Sequence, residues 1–164
     1  MEVREIEPEE YGEAGEVLVL AYSDFVDPAQ PGWDEHLDLV RDIAGRIDRT
    51  VVLAAVEDGR VLGSATIELD DVIGDDDPEL PPGVAFLRMV GVHPDARRRG
   101  VGRALVQEVV SRARRAGKRT VGLRTTPQMA PAHRLYESLG FVRDPSLDLP
   151  LGDDGSLLGY RLEL

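Results

Sequence analysis

The chain has 164 residues, a formal net charge of −12 and no cysteine. This length predicts a single domain over residues 1–164, and the missing cysteine excludes disulfides and thiolate metal sites. The acidic start has no hydrophobic signal region, and no apolar run approaches the roughly 18 residues of a membrane helix. We therefore expect a cytoplasmic protein with no membrane partner, and the negative charge argues against general nucleic-acid binding.

The first half of the chain predicts a strand, two helices and a β-hairpin. A short strand at Glu2–Ile6 precedes the first helix. Asp34 is placed to cap the second helix, whose apolar residues recur at helical spacing: Leu37, Val40, Ala44 and Ile47. Strands at Thr50–Val56 and Val61–Leu69 flank Asp58-Gly59, which is a strong hairpin signal. The acidic, Pro- and Gly-rich segment 70–83 then predicts a loop.

The centre of the chain predicts a strand, a turn and a long helix. Val84–Val92 is an apolar run with Arg88 as its only charge, which is typical of a buried strand. His93-Pro94-Asp95 ends that strand, because proline cannot donate to a β-ladder. The following helix ends at Gly117, and its apolar face consists of Val101, Leu105, Val106, Val109, Val110 and Ala113.

The turn between them, Arg97-Arg98-Arg99-Gly100-Val101-Gly102, is suited to a phosphate-bearing ligand. The glycines allow close approach of the main chain, and the first amides of a helix have no intrahelical partner. Residues 97–124 carry ten cations against one acid, which adds positive charge in the same place. A Gly-containing strand-to-helix turn that binds nothing is the alternative. The Walker A motif is absent, and Leu105 stands where a dinucleotide fingerprint needs its third glycine.

The remaining elements complete a mixed α/β pattern. Thr120–Thr125 predicts a strand, Pro131 opens a short helix that Gly140 ends, and Phe141–Arg143 begins another strand. Pro145–Gly155 predicts a loop before the alternating final strand Leu157–Leu164. The order β-α-α-β-β-β-α-β-α-β-β predicts a mixed sheet with helices on both faces.

Two motifs in this order resemble those of the GNAT superfamily of N-acetyltransferases. Residues 97–102 match its Q/R-x-x-G-x-G/A pattern, and Ala132, Leu135, Tyr136, Gly140 and Phe141 match its A-x-x-L-Y-x-x-x-G-F pattern. The resemblance implies a GNAT fold with a central mixed sheet of about six to seven strands. It also implies transfer of an acetyl group from acetyl-CoA to a primary amine, by direct attack in a ternary complex.

The same resemblance implies roles for individual residues. Backbone groups of Val90 and Val92 are expected to contact pantetheine, and an amide near Val90 is expected to stabilise the oxyanion. The diphosphate is expected to lie against Arg97, Arg98, Arg99, Gly100, Val101, Gly102 and Arg103. Tyr136 is the candidate general acid for the leaving thiolate, with packing of the short helix as the alternative.

The general base is less clear from the sequence. Arg88 and Met89 occupy the strand positions where many GNAT proteins carry a glutamate. Glu68, His93 and a water relay are the alternatives, and Arg88 is expected either to pair with Glu68 or to bind a substrate carboxylate. Met129 stands where many members have a cofactor-contacting asparagine.

The acceptor is a small-molecule or peptide amine of unspecified identity. Acids in the segment 70–79, together with Asp24, Asp27, Asp34 and Glu35, favour a cationic acceptor, although solvated loop acids explain the same letters. A catalytically silent acyl-CoA-binding sensor or interaction module is the alternative function. Both a monomer and a homodimer are compatible with the sequence.

Overall fold

The computed structural model describes residues 1–69, 81–152 and 155–164. The helices in this part of the chain are α1 (Tyr11–Ser23), α2 (Trp33–Arg41), α3 (Val101–Arg115) and α4 (Ala130–Ser138). The strands are β1 (Glu2–Glu5), β2 (Val51–Glu57), β3 (Arg60–Glu68), β4 (Val84–Val92), β5 (Thr120–Thr125), β6 (Val142–Arg143), β7 (Leu149–Pro150) and β8 (Ser156–Glu163). The predicted acidic loop lies largely outside the described residues, which resume at Pro81.

The strands form one mixed sheet in the order β1-β2-β3-β4-β5-β8-β6, and β7 pairs with β8 beside this path. β4 and β5 run parallel, whereas β1 with β2 and β5 with β8 run antiparallel. The predicted mixed α/β class is confirmed. The described sheet has eight strands, because Leu149–Pro150, in a segment predicted as loop, pairs with β8.

The chain divides into two compact units. The first comprises Met1–Thr66 and Met89–Glu108, and the second comprises Ile67–Arg88 and Val109–Leu164. The three boundaries fall within β3, β4 and α3, so the prediction of a single domain stays a prediction. The first unit is built on an apolar cluster of nine buried residues: Ile6, Ala14, Val17, Leu18, Val40, Ile43, Val52, Ala54 and Val61.

Local signals account for several elements. Asp58 and Gly59 have φ angles of 51° and 75°, as a two-residue hairpin turn of type I′ requires, so the predicted hairpin is confirmed. All six predicted apolar residues of α3 are buried. Gly117 has φ 74°, and the amide of Lys118 donates to the carbonyl of Ala113, so the predicted glycine cap of α3 is also confirmed.

The second helix is shorter than predicted. It spans Trp33–Arg41 and ends where Asp42 leaves helical geometry with ψ 79°. The buried guanidinium of Arg46 donates to three backbone carbonyls between residues 39 and 42, which satisfies groups that a helix end leaves open. The prediction that Ala44 faces the core was wrong: Ala44 is exposed, and Ile43 is buried instead.

Candidate active site

The turn segment, residues 93–102, joins β4 to α3 in the first unit. His93 begins a 3-10 turn over Pro94–Ala96, and its Nδ1 accepts a hydrogen bond of 3.2 Å from the amide of Asp95. The carbonyl of Gly100 accepts the first helical bond, from the amide of Ala104. The side chain of His93 therefore helps to fix this turn.

The main chain of the turn segment contains two left-handed residues. Arg98 and Gly100 have φ angles of 61° and 80°, both in the left-handed region. Successive amides in such a turn can point toward the same side and form an anion-binding concavity. A Cβ atom added at Gly100 would meet no heavy atom within 4 Å, so the space beside it is open. The amides at the start of α3 add the positive end of its dipole.

The first and third arginines of the turn segment are held by carboxylates. Arg97 Nη1 lies 2.6 Å from Asp24 Oδ2, and its guanidinium stacks 5.6 Å from the ring centroid of Phe25. Arg99 Nη2 donates to Glu57 Oε2, and this hydrogen bond lowers the pKa of the Glu57 carboxyl. The positive charge that the sequence predicts here is therefore partly neutralised at two of its three arginines.

The strand leading into the turn segment is interrupted at Met89. This residue has φ 49°, whereas extended strand residues have φ near −120° to −140°. β4 pairs with β5 only over Val84–Leu87, opposite Thr120–Leu123, although β4 continues to Val92. A left-handed residue in a strand stores strain and is often found at functional sites. Val90 and Val92, the predicted pantetheine contacts, lie directly after this interruption and are half-buried.

Glu68, a candidate base, lies at the end of β3 and is 8% exposed. Its Oε1 is 3.3 Å from Arg88 Nη1, and its Oε2 is buried. Arg88 is half-buried, and the predicted pairing of Arg88 with Glu68 is confirmed. Whether Glu68 also removes a proton from the acceptor stays a prediction.

Tyr136, the candidate acid, is a buried residue of α4 with 6% exposure. Its ring centroid lies 5.7 Å from that of Phe141 and 6.4 Å from that of Tyr160. The helix ends at Ser138, and Gly140, with φ 93°, then turns the chain so that the amide of Phe141 donates to the carbonyl of Tyr136. In the second motif, the turn that follows α4 thus brings the ring of Phe141 close to that of Tyr136.

The predicted residues fall into two groups. The nine predicted cofactor-binding residues, from Val90 to Arg103, all belong to the first unit. The two predicted catalytic residues, Glu68 and Tyr136, belong to the second. Within the described ranges no group of three or more His, Cys, Asp or Glu side chains could hold a metal ion. No helix there combines the length and apolarity needed to cross a bilayer.

The family model described as "Acetyltransferase (GNAT) family" matches residues 15–141. The chain belongs to the GNAT acetyltransferase family. Its resemblance to that family, inferred from two short motifs, is thereby confirmed.

Curated relatives of this GNAT protein include two kinds of acetyltransferase. A mycothiol acetyltransferase from Cellulomonas flavigena is 38% identical over 93 residues, which are 56% of this chain and 26% of that protein. The ribosomal protein bS18 alanine N-acetyltransferase of Escherichia coli is 40% identical over 57 residues, which are 35% of this chain and 38% of that protein. The matched regions thus span only 26% to 38% of these relatives' lengths.

Solved GNAT structures share the fold over the whole chain. The PaiA N-acetyltransferase from Thermoplasma acidophilum, solved in complex with coenzyme A, matches with a TM-score of 0.77. The match covers 99% of this chain and 98% of that chain at 15% sequence identity. At this identity the likeness shows the common fold alone.

One position departs from the usual GNAT pattern. Met129, which replaces the common asparagine, directly precedes α4 and its Sδ accepts a 3.8 Å hydrogen bond from the hydroxyl of Thr125. A thioether is a weak acceptor and cannot donate, so it does not reproduce the hydrogen bonds of an asparagine.

Sequence reasoning missed two residues beside Tyr136. Tyr160 on β8 is 4% exposed, its hydroxyl lies 3.5 Å from Glu137 Oε1, and burial and that carboxylate raise its pKa above the usual 10.0. His133, expected at the surface, is half-buried: its Nε2 is 2.9 Å from the carbonyl oxygen of Thr126 and its ring centroid is 5.8 Å from that of Tyr160. The three-residue spacing of His133 and Tyr136, which places both on one helix face, was the available signal.

Proposed function

We propose that this GNAT protein transfers the acetyl group of acetyl-CoA to a primary amine. The observation that carries the proposal is the turn segment, whose left-handed Arg98 and Gly100 shape a main-chain anion site at the start of α3. Family membership gives this site its ligand, because coenzyme A presents a diphosphate. In this proposal the diphosphate binds the amides from Arg98 to Arg103, and pantetheine bonds to backbone groups of Val90 and Val92.

The chemistry requires stabilisation of an oxyanion and protonation of a thiolate. The amine nitrogen attacks the thioester carbonyl, and a tetrahedral intermediate forms whose oxygen is negatively charged. The interruption at Met89 supports the amide of Val90 as the donor to that oxygen, because a left-handed residue reorients the peptide that follows it. When the carbon–sulfur bond breaks, the phenol of Tyr136 gives its proton to the departing thiolate, and the second proton lost by the acceptor nitrogen restores the phenol.

The amine must lose a proton before or during attack, since an alkylammonium has no lone pair. Glu68 is the proposed acceptor of that proton, supported by its carboxylate character and its low exposure in a strand next to β4 in the sheet. Proton transfer through a water relay is the alternative route. Removal of the Glu68 carboxylate distinguishes the two routes.

The acceptor is proposed to be a cationic amine. Asp34 and Glu35 are exposed in the first turn of α2, and they support the predicted acidic rim. Asp24 does not support it, because its carboxylate is paired with Arg97. The acids of residues 70–79 lie outside the described residues. The name of one relative, a ribosomal protein alanine N-acetyltransferase, adds a peptide N-terminus to the acceptors worth testing.

The test is turnover of acetyl-CoA with a panel of amines. Polyamines, aminoglycosides and peptides with a free N-terminal alanine are offered at low and high salt. Release of the coenzyme A thiol and the acetylated product are both measured. We expect thiol release matched by product, with a KM for the cationic acceptor that rises with salt. Tight coenzyme A binding without release of thiol across the panel would instead support the binding module.

A further inference from the structure

The three consecutive arginines of the turn segment differ in what they contact. We infer that Arg98 is the arginine whose guanidinium binds a phosphate group of coenzyme A. Arg97 and Arg99 are positioning residues, which fasten the turn to the end of α1 and to the β2–β3 hairpin. The inference rests on the proposed function, and it assigns separate roles to side chains that the motif alone does not distinguish.

The side chain of Arg97 contacts the C-terminal end of α1. Its Nη1 pairs with Asp24, the residue that follows the helix, at 2.6 Å, and its Nη2 lies 3.5 Å from the carbonyl oxygen of Ala21. That carbonyl is among the last four of the helix, which lack an intrahelical donor and sit at its negative pole. The ring of Phe25 covers one face of the guanidinium. A phosphate would have to compete with these three contacts for this side chain.

The side chain of Arg99 contacts the hairpin formed by β2 and β3. Glu57 is the last residue of β2, and its Oε2 accepts a hydrogen bond from Arg99 Nη2. The other oxygen, Oε1, lies 3.6 Å from the N-terminal amine of Met1. Because the hydrogen bond from Arg99 lowers the Glu57 pKa, the carboxylate stays charged at neutral pH and holds the arginine.

The side chain of Arg98 differs from those of Arg97 and Arg99. It is exposed, and within residues 1–69, 81–152 and 155–164 no hydrogen bond or ion pair joins its guanidinium to another group. Its own main chain is left-handed, with φ 61°, so its side chain leaves the turn from the residue that shapes the anion site. An arginine in this setting can meet a phosphate with two parallel hydrogen bonds and give up no contact within the protein.

The experiment uses three matched variants, Arg97→Gln, Arg98→Gln and Arg99→Gln, which remove one charge each and keep most of the side chain. Binding is measured by calorimetry with coenzyme A, 3′-dephospho-coenzyme A and pantetheine, and the melting temperature of each variant is recorded. Asp24→Asn and Glu57→Gln serve as partner variants, since a positioning role predicts that each lowers the melting temperature like its arginine.

We expect Arg98→Gln to weaken coenzyme A binding about tenfold, as loss of a charge-assisted hydrogen bond does, with an unchanged melting temperature. Pantetheine, which has no phosphate, should bind this variant and the unaltered protein equally. Arg97→Gln and Arg99→Gln should change coenzyme A affinity by less than about threefold and lower the melting temperature. If the Arg98→Gln loss persists with 3′-dephospho-coenzyme A, its ligand is the diphosphate; if it disappears, the ligand is the 3′-phosphate.

Two results overturn the inference while leaving the proposed function intact. One is coenzyme A binding by Arg98→Gln that stays within twofold of the unaltered protein. The other is a loss in Arg97→Gln or Arg99→Gln as large as that in Arg98→Gln, with no change in melting temperature. Failure of the unaltered protein to bind coenzyme A at all would overturn the proposed function, and this inference with it.

Discussion

The proposed ligand groups of the turn segment belong to the main chain, whereas the proposed reactive group of Tyr136 belongs to a side chain. In the turn segment the proposed ligand groups are main-chain amides beside an open Gly100, and two arginine side chains are turned to structural contacts. Around Tyr136 the proposed reactive group is a side chain that is buried among aromatic rings. A main-chain site is sensitive to added atoms, whereas a buried phenol is sensitive to the loss of one oxygen.

The largest effect is expected from Tyr136→Phe. This change keeps the ring that packs against Phe141 and removes only the hydroxyl. Because a general acid typically contributes 10²–10⁴-fold, we expect kcat to fall about 1000-fold while coenzyme A affinity is unchanged. Tyr160→Phe is the matched control, and its kcat should stay within a few-fold. Equal, small effects of both changes would assign Tyr136 to packing.

A smaller loss is expected from Glu68→Gln. Without the carboxylate the acceptor amine must lose its proton to water, so we expect kcat/KM to fall about 100-fold, at the lower end of general-base effects. The rate should then rise with pH toward the pKa of the amine itself. The variant keeps an oxygen that can accept from Arg88, so its melting temperature serves as the control for folding. An unchanged pH profile would assign the reaction to the water relay.

Two glycines that flank α3 allow a matched test of the main-chain site. Gly100 and Gly117 both have positive φ, and a Cβ added at either would meet nothing within 4 Å. Alanine at either position should therefore cost about 1–2 kcal/mol of stability through backbone strain alone. Only Gly100→Ala should weaken coenzyme A binding, by about tenfold, because it disturbs charge-assisted bonds to phosphate. Equal affinities in the two variants would place the ligand elsewhere.

The smallest effect is expected on the free energy of unfolding at alkaline pH. The pKa of Tyr160 is raised in the folded protein, mainly by burial and then by Glu137, so the folded state keeps its proton to a higher pH than the unfolded state does. The free energy of unfolding should therefore fall as pH rises from about 10 to the folded pKa, by at most about 1.4 kcal/mol per pH unit. Denaturant titrations of Tyr160→Phe should lack this decline. A decline of the same size in the variant would show that another group causes it.

The same contrast explains how much could be predicted from the sequence. The strand, turn and helix of residues 84–117 follow from local rules: an apolar run, a proline, two glycines and a helical period. The α4 motif likewise predicted a helix ended by Gly140. These predictions succeed because each depends on neighbours in sequence.

The failures involve side-chain contacts that apolar periodicity does not record. The apolar period of α2 continues past Arg41, but the Arg46 guanidinium takes up the final carbonyls and the helix stops there. Asp24 reads as a free loop acid, yet it pairs with Arg97, 73 positions along the chain. The Tyr160 contact with Tyr136 likewise joins β8 to α4. Local periodicity carries no information about such partners.

The central claim is that the main chain from Arg98 to Arg103 binds the diphosphate of coenzyme A. The most direct measurement is a titration of the ¹⁵N-labelled protein with coenzyme A, followed through the amide signals of these residues. The account predicts saturable shifts of the amides at residues 98–103 that are largest at Gly100 and Gly102, and much smaller shifts when pantetheine replaces coenzyme A. Saturable coenzyme A binding that leaves these amides unmoved would contradict it.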